Sequence, residues 1–81
     1  MINQEKKDHI LSLIAEIADI QKDDIKDEST FEEIGMDSLM ALELAVRIER
    51  EFEVFIQEEE LMNLRKVEDV FLFVEQGGFI D

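Results

Sequence analysis

Apolar residues recur at helical spacing along most of the chain, and this periodicity limits the possible folds more than any other feature. The first stretch with intervals of three and four residues comprises Ile10, Leu13, Ile14, Ile17 and Ala18. Such a stripe is typical of an amphipathic helix, which we predict over about residues 4–19. The sequence has no proline and only three glycines, so few residues would interrupt a helix.

A second helix is predicted to begin at Asp37-Ser38, where either residue is a suitable N-cap. Its broader apolar face, which we assign to the core, consists of Ala41, Leu44, Ala45, Ile48 and Phe52. Leu39, Leu42 and Val46 form a second, narrower stripe. Because a globular helix needs only one face for its core, this stripe suggests a surface for a partner. The alternative is that Leu42 lies between the two faces and only widens the buried arc.

Two further helices are predicted over about residues 58–64 and 67–76, the last ended by Gly77-Gly78. With a long loop between helices 1 and 2, the prediction is an all-α fold in one domain, residues 1–81. It is a small four-helix bundle with three longer helices and one short helix.

The long loop contains its own local signals. Ser29-Thr30-Phe31-Glu32 fits a capping box with Ser29 at the cap and Glu32 at the third helical position. Gly35 suits a left-handed residue that closes this turn. The apolar residues that we expect to anchor the loop to the core are Ile25, Phe31 and Ile34.

The net charge of −14 on 81 residues excludes several functions. Nucleic acid and anionic membrane surfaces would be repelled, whereas partners with basic patches would be attracted. No cysteine is present, so disulfides and cysteine-based zinc sites are excluded, and the single histidine, His9, excludes a multi-histidine metal site. We expect His9 to be exposed and solvated. No signal peptide or membrane-spanning stretch is visible, so we expect a cytoplasmic protein.

Ser38 is the residue with the clearest chemical potential. The sequence contains no Ser-His-Asp arrangement with plausible context, no glycine-rich phosphate loop and no calcium loop, so no active site is predicted. A phosphate on Ser38, just after the turn that Gly35 permits, would meet free backbone N–H groups and the positive end of the helix dipole. The alternative is that Ser38 is only the N-cap.

Gly35-Met36-Asp37-Ser38-Leu39 resembles the signature of the acyl carrier protein family, in which the serine of Asp-Ser-Leu carries 4′-phosphopantetheine. Other segments are similar to the family's loop before the serine, its second helix and the start of its last helix. These segments are residues 25–35, Leu42-Glu43-Leu44, residues 48–52 and Val67-Glu68-Asp69-Val70. The resemblance therefore covers nearly the whole chain.

The resemblance implies a carrier, with no catalytic residue and no metal site of its own. A phosphopantetheinyl transferase would use coenzyme A and magnesium to attach 4′-phosphopantetheine to Ser38, and the arm's thiol would hold acyl groups as thioesters. Further implied partners are an acyltransferase, a ketosynthase and other acyl-processing enzymes with basic patches, acting on a monomeric carrier. The residues that we expect on the partner-facing surface are Asp37, Leu39, Met40, Glu43, Val46 and Arg47.

Each of these surface residues also has a purely structural alternative. Asp37 would only cap the helix, Leu39 and Val46 would be half-buried core, and Glu43 and Arg47 would form a pair four residues apart on a solvated face. Helical spacing nevertheless places the set on one side of the helix near Ser38, which favours recognition.

Several positions differ from carriers of fatty-acid synthesis. Met40 stands where an acidic or polar residue usually follows Ser-Leu, and Arg47 and Arg50 lie in a helix that is dominantly acidic in those carriers. The stretch from Ser38 to Leu44 looks closer to carriers of polyketide synthases. Lys66 stands where Thr or Ser commonly caps the last helix. The start at Met1 favours a free carrier.

Three hypotheses follow from the sequence. The first is an acyl carrier for polyketide or fatty-acid assembly. The second is an acidic helical module that binds a basic partner, with Ser38 only a helix N-cap. The third, a hydrolase with Ser38 as nucleophile, is disfavoured because no base is available.

Overall fold

Four α-helices and a 3-10 turn make up the regular structure of residues 4–76, the part of the chain that the computed structural model describes. They are α1 (Gln4–Ala18), the 3-10 turn (Lys22–Asp24), α2 (Ser38–Phe52), α3 (Glu58–Asn63) and α4 (Val67–Glu75). The predicted all-α bundle, with three longer helices and one short helix, is confirmed. The helix stop predicted at Gly77-Gly78 lies outside the described residues. No described helix is both long and apolar enough to cross a membrane.

The core is made by the apolar stripes of α1, α2 and α4. Side chains that are completely shielded from solvent are Ile10, Ile14, Ile48, Val67 and Val70. Burying a side chain of this size contributes about 1.5–3 kcal/mol to folding, so each of these five positions contributes substantially to the stability of a small domain. No polar or charged side chain is buried within residues 4–76.

The predicted core face of α2 is confirmed. Leu44, Ala45 and Ile48 are buried, while Ala41 and Phe52 are half-buried. The alternative in which Leu42 widens the buried arc is wrong, because Leu42 remains 53% exposed.

The long loop is held to the core by apolar anchors. Ile25, Phe31 and Met36 are buried, and Ile34 is half-buried against the same core. Gly35 is left-handed, with a φ of 82°, and the turn closes where the Met36 N–H donates to the Phe31 carbonyl at 2.9 Å. The prediction that Gly35 would close this turn in the left-handed conformation is therefore confirmed.

Backbone hydrogen bonds attach the loop to the start of α4. The Val67 N–H donates to the Ser29 carbonyl at 2.9 Å, and the Glu68 N–H donates to the Asp27 carbonyl at 3.0 Å. These carbonyls satisfy N–H groups that the first turn of a helix leaves without partners. The loop thereby replaces the Thr or Ser cap that the sequence lacks at Lys66.

The predicted capping box with Ser29 at the cap is wrong, because the reciprocal bonds form one residue later. Glu33 Oε1 accepts from the Thr30 N–H at 2.8 Å, and Thr30 Oγ1 accepts from the Glu33 N–H at 3.1 Å. Ser29 Oγ instead accepts from the Lys26 N–H at 3.0 Å. The hydrogen bond from the Val67 N–H to the Ser29 carbonyl holds the loop in this register. Thr30, and not Ser29, is therefore the capping residue of the turn.

Surface contacts join α1 to α2. His9 is exposed, as predicted, but it is not merely solvated. Its Nε2 lies 3.0 Å from Glu51 Oε1, and its ring packs edge-on against Phe52, with 5.2 Å between the ring centroids. Closer to the middle of α2, Arg47 Nη1 donates to Glu16 Oε1 at 3.1 Å.

Candidate functional site

The N-terminus of α2 is capped by Asp37, which leaves Ser38 as the first residue of the helix. The Oδ1 atom of Asp37 accepts from the Met40 N–H at 2.9 Å, the usual bond of an aspartate N-cap. Of the two caps that the sequence allowed, Asp37 is therefore the correct one. The interpretation of Ser38 as only an N-cap is wrong.

Ser38 is exposed, and its hydroxyl has no hydrogen-bond partner within residues 4–76. The N–H groups of Ser38 and Leu39 likewise have no acceptor in this part of the chain. A group esterified to this oxygen would meet open solvent, two available donors and the positive end of the helix dipole. These features fit a phosphodiester.

No histidine lies beside Ser38 among the described residues. His9 packs on Phe52, at the opposite end of α2, about 20 Å away by the rise of an α-helix. Within residues 4–76, no cluster of three or more His, Asp or Glu side chains is arranged to hold a metal ion. The site therefore presents an exposed hydroxyl at the start of α2, with the histidine of the described residues at the other end of the helix.

A cleft of about 480 Å³ opens beside Ser38, between α2 and the α3 region. Residues of α2 that line it are Ser38, Ala41, Leu42 and Ala45. The opposite wall consists of Ile56, Glu58, Leu61 and Met62. The lining is largely apolar, with small side chains at Ala41 and Ala45, so an apolar chain attached near Ser38 would find space here.

The residues predicted on the partner-facing surface fall into two groups. Leu39, Glu43 and Val46 face solvent, with Leu39 74% and Val46 43% exposed. Both apolar residues are too exposed for the half-buried role considered as an alternative. Met40 is half-buried against the core, and Arg47 is turned towards Glu16 of α1.

The alternative pair between Glu43 and Arg47 does not form, since Arg47 pairs with Glu16. Asp37 is exposed and serves as the cap, which leaves its outer surface accessible. Four of the six predicted surface residues therefore lie on an exposed side of α2 or at its N-terminal end, near Ser38. The other two, Met40 and Arg47, are directed away from that side.

The turn before Ser38 contains a carboxylate, Glu33, whose pKa lies below its ordinary value. Hydrogen bonding from the Thr30 backbone N–H, and secondarily from the Thr30 side chain, lowers the pKa of Glu33. The sequence contained the Thr-x-x-Glu signal for this pair, next to the Ser29 signal that we preferred.

Comparison with known proteins gives consistent matches over most of the chain. A family model described as the phosphopantetheine attachment site matches residues 8–74. The chain is similar to an acyl carrier protein homolog of Mycoplasmopsis pulmonis, with 39% identity over 64 residues, covering 79% of this chain and 88% of that protein.

Two further relatives are acyl carrier proteins by name, and one of these names refers to a polyketide synthase. The chain is 33% identical over 66 residues to polyketide-8 synthase acyl carrier protein 2 of Streptomyces avermitilis, covering 80% of this chain and 76% of that protein. It is 33% identical over 69 residues to the acyl carrier protein of Wolinella succinogenes, covering 84% and 91%. The family match and these relatives agree with a phosphopantetheine attachment site in this chain.

Proposed function

The chain belongs to the acyl carrier protein family and carries acyl intermediates of polyketide or fatty-acid synthesis on a phosphopantetheine group, and we propose that Ser38 is the residue that bears this group. The observation that supports Ser38 most strongly is its position directly after the Asp37 cap. Because Asp37 completes the helix start, the Ser38 hydroxyl is exposed and has no structural task within the described residues.

The start of α2 would hold the phosphate of the arm. The N–H groups of Ser38 and Leu39 are directed towards the N-terminal end of the helix, where the dipole favours negative charge. The bound group supplies a thiol on which acyl groups are held as thioesters. The chain contributes the exposed oxygen, the donors and a rigid helix that presents them.

We infer that the chain is a carrier and not itself an enzyme. Attachment to Ser38 needs a base, and His9 is held at the far end of α2 by Glu51 and Phe52. A phosphopantetheinyl transferase would supply this base and bind coenzyme A. The Ser38 oxygen would take the phosphopantetheinyl group as the base takes the hydroxyl proton, and adenosine 3′,5′-bisphosphate would leave. Acyltransferase, ketosynthase and related enzymes would then act on the tethered chain, which is kept at high effective concentration. A cytoplasmic location and a monomeric state remain predictions.

We further propose that the cleft between α2 and the α3 region receives the acyl chain while the carrier travels between enzymes. Its lining is mostly apolar, and Ser38 stands among its lining residues. Withdrawing an alkyl chain from water contributes about 0.8 kcal/mol for each buried methylene, so even a short chain would be partly protected there.

Partner enzymes are proposed to recognise α2 through Asp37, Leu39, Met40, Glu43, Val46 and Arg47. Exposure supports Leu39, Glu43 and Val46 most directly. Met40 and Arg47 would contribute at the edge that faces α1, since Arg47 is only partly exposed beside Glu16.

The proposed attachment is tested by incubating the chain with coenzyme A and a phosphopantetheinyl transferase and measuring the intact mass. We expect an increase by one phosphopantetheinyl group for the wild type and none for Ser38→Ala. Ser29→Ala is the matched control and should be modified like the wild type. Wild-type protein that stays unmodified beside another carrier that is loaded would favour the helical interaction module instead.

A further inference from the structure

The cleft between α2 and the α3 region combines an apolar interior with a carboxylate at its edge. Among its lining residues within 4–76, Glu58 is the one that carries a charge. Glu58 is the first residue of α3 and is exposed, whereas Ala45 and Ile56 of the same lining are buried. The carboxylate of Glu58 therefore lies where the cleft meets solvent, and the interior contains apolar groups.

The side of α2 that lines the cleft continues into further negative charge. Helical spacing places Glu49 one turn beyond Ala45, on the cleft side of the helix. Arg50 is rotated from Glu49 by about 100°, the angle between successive residues of a helix, and so points away from the cleft. Arg47 lies still farther round and pairs with Glu16 of α1 at 3.1 Å. Both cations of α2 are thus turned away from the cleft.

The start of α3 adds charge of the same sign. Glu58, Glu59 and Glu60 occupy its first turn. A helix N-terminus carries a charge of about +0.5, which three carboxylates outweigh. The next cation along the chain, Arg65, lines a different pocket together with Phe31 of the long loop. An anion that approaches the cleft from the α3 side therefore meets repulsion first.

This arrangement treats charged and uncharged acyl chains differently. An uncharged chain removes apolar surface from water along Ala41, Ala45 and Leu61 and brings no charge with it. A chain that ends in a carboxylate has to bury that charge in the apolar interior or leave it at the edge beside Glu58. Desolvation in the interior and repulsion at the edge both oppose its entry.

We propose that Glu58 makes the cleft selective for uncharged acyl chains, so that acyl groups ending in a carboxylate remain in solvent. This inference rests on the proposed attachment of the arm to Ser38 and on the proposed acyl cleft. Uncharged intermediates are sheltered while the carrier travels between enzymes, and carboxyacyl groups stay accessible to the next enzyme. The charge of the cargo, and not its length alone, decides whether it is sheltered.

The test compares two acyl groups with the same number of carbons, hexanoyl and adipoyl. A phosphopantetheinyl transferase transfers each acylated arm from its acyl-coenzyme A to the intact chain. Hydroxylamine then cleaves the thioester at neutral pH and about 0.15 M salt, where exposed charges more than about 8 Å apart are largely screened. Each cleavage rate is divided by that of the corresponding free acyl-coenzyme A, so that differences in intrinsic reactivity cancel.

We expect the hexanoyl carrier to react about fourfold more slowly than its reference, the effect of a net burial equal to one methylene. The adipoyl carrier should react at the rate of its reference. The monomethyl ester of adipoyl, which has the same chain without the charge, should be sheltered like hexanoyl. Methyl NMR signals of Ala41 and Ala45 give a second readout, and should shift on loading with hexanoyl but not with adipoyl.

Two matched variants assign the selectivity to a residue. Glu58→Gln should slow cleavage of the adipoyl carrier by about two- to fivefold, the range expected for a contact between exposed charges, and leave the hexanoyl carrier unchanged. Glu59→Gln makes the same change at an exposed neighbour that does not line the cleft, and should alter neither rate.

Every contrary result is decisive. Equal sheltering of hexanoyl and adipoyl, an unsheltered methyl ester, or equal effects of Glu58→Gln and Glu59→Gln would overturn selection by Glu58. Hexanoyl that loses its shelter in Glu58→Gln would show that Glu58 supports the cleft instead of selecting its occupant. Unsheltered hexanoyl in the wild type would overturn the proposed acyl cleft as well, but not the attachment to Ser38. Wild-type protein that takes up no arm would overturn that attachment too.

Discussion

The carboxylate of Asp37 accepts a hydrogen bond from the backbone N–H of Met40 at 2.9 Å and thereby caps α2. This bond assigns separate tasks to two adjacent residues whose side chains both suit an N-cap. Asp37 stabilises the start of the helix, while Ser38 follows it with an exposed hydroxyl. The division of tasks allows a bulky group to be attached to Ser38 without loss of the cap.

The first prediction concerns the stability of variants at these two positions. Asp37→Ala should lower the free energy of unfolding by about 1 kcal/mol, the typical cost of a lost cap. Ser38→Ala should change it by less than about 0.5 kcal/mol, because an exposed residue without a partner is replaced by a better helix former. Urea denaturation followed by circular dichroism measures both. A larger loss for Ser38→Ala than for Asp37→Ala would contradict the assigned cap.

A second prediction follows from the lowered pKa of Glu33. Because the folded-state pKa lies below that of an unstructured glutamate, about 4.3, this carboxylate contributes stability above that pH. The contribution is lost as the pH falls through the lower folded-state pKa. We therefore expect Glu33→Gln to be less stable than the wild type at neutral pH and to lose this difference in acid.

The pKa of Glu33 itself can be followed by NMR titration. Thr30→Val removes the hydroxyl but keeps the backbone N–H, which is the larger cause of the shift. The pKa should therefore rise only part of the way towards its ordinary value. An unchanged pKa in Thr30→Val would show that the Thr30 side chain does not contribute, and full restoration would contradict the leading role of the backbone N–H.

The third prediction contrasts the buried and exposed faces of α2. Ile48 is completely buried and Leu39 is 74% exposed, although both are large apolar residues of the same helix. Ile48→Ala should lower the free energy of unfolding by about 2–5 kcal/mol through lost burial and a cavity. Leu39→Ala should change it by less than about 0.5 kcal/mol. Similar losses in urea denaturation would contradict the assignment of the two faces.

A fourth prediction concerns the ion pair between Glu16 and Arg47. The pair joins α1 to α2 at 3.1 Å, but the two side chains are 67% and 29% exposed. Solvent and salt screen such a pair, so a double-mutant cycle of Glu16→Gln and Arg47→Gln should give a coupling of about 0.2–1 kcal/mol. The coupling should decrease in 1 M salt. A coupling that is zero at low salt would contradict a stabilising role for this ion pair.

The sequence predicted the helices well because their apolar stripes are also their buried faces. Ile10, Ile14 and Ile48 stand at helical spacing and are completely buried, so the pattern that marks a helix in the sequence also marks the core. The position of Ser38 at the start of α2 was likewise predictable, since Gly35 and Asp37 supply the turn and the cap just before it.

Features that depend on packing between distant segments were harder to predict. Ser29 and Thr30 each stand three residues before a glutamate, so local sequence allows two capping boxes. The choice depends on the hydrogen bond between the Ser29 carbonyl and Val67, which are far apart in the chain. The pairing of Arg47 with Glu16 is missed for the same reason, because an intrahelical partner at Glu43 was equally available.

The attachment residue is tested most directly on protein purified from its own source. Intact mass spectrometry followed by fragmentation would give both the mass of any added group and the residue that bears it. We expect one phosphopantetheinyl group, free or acylated, on the peptide containing Ser38 and on that serine. A native protein with the arm on another residue, or a population entirely without it, would contradict the assignment of Ser38.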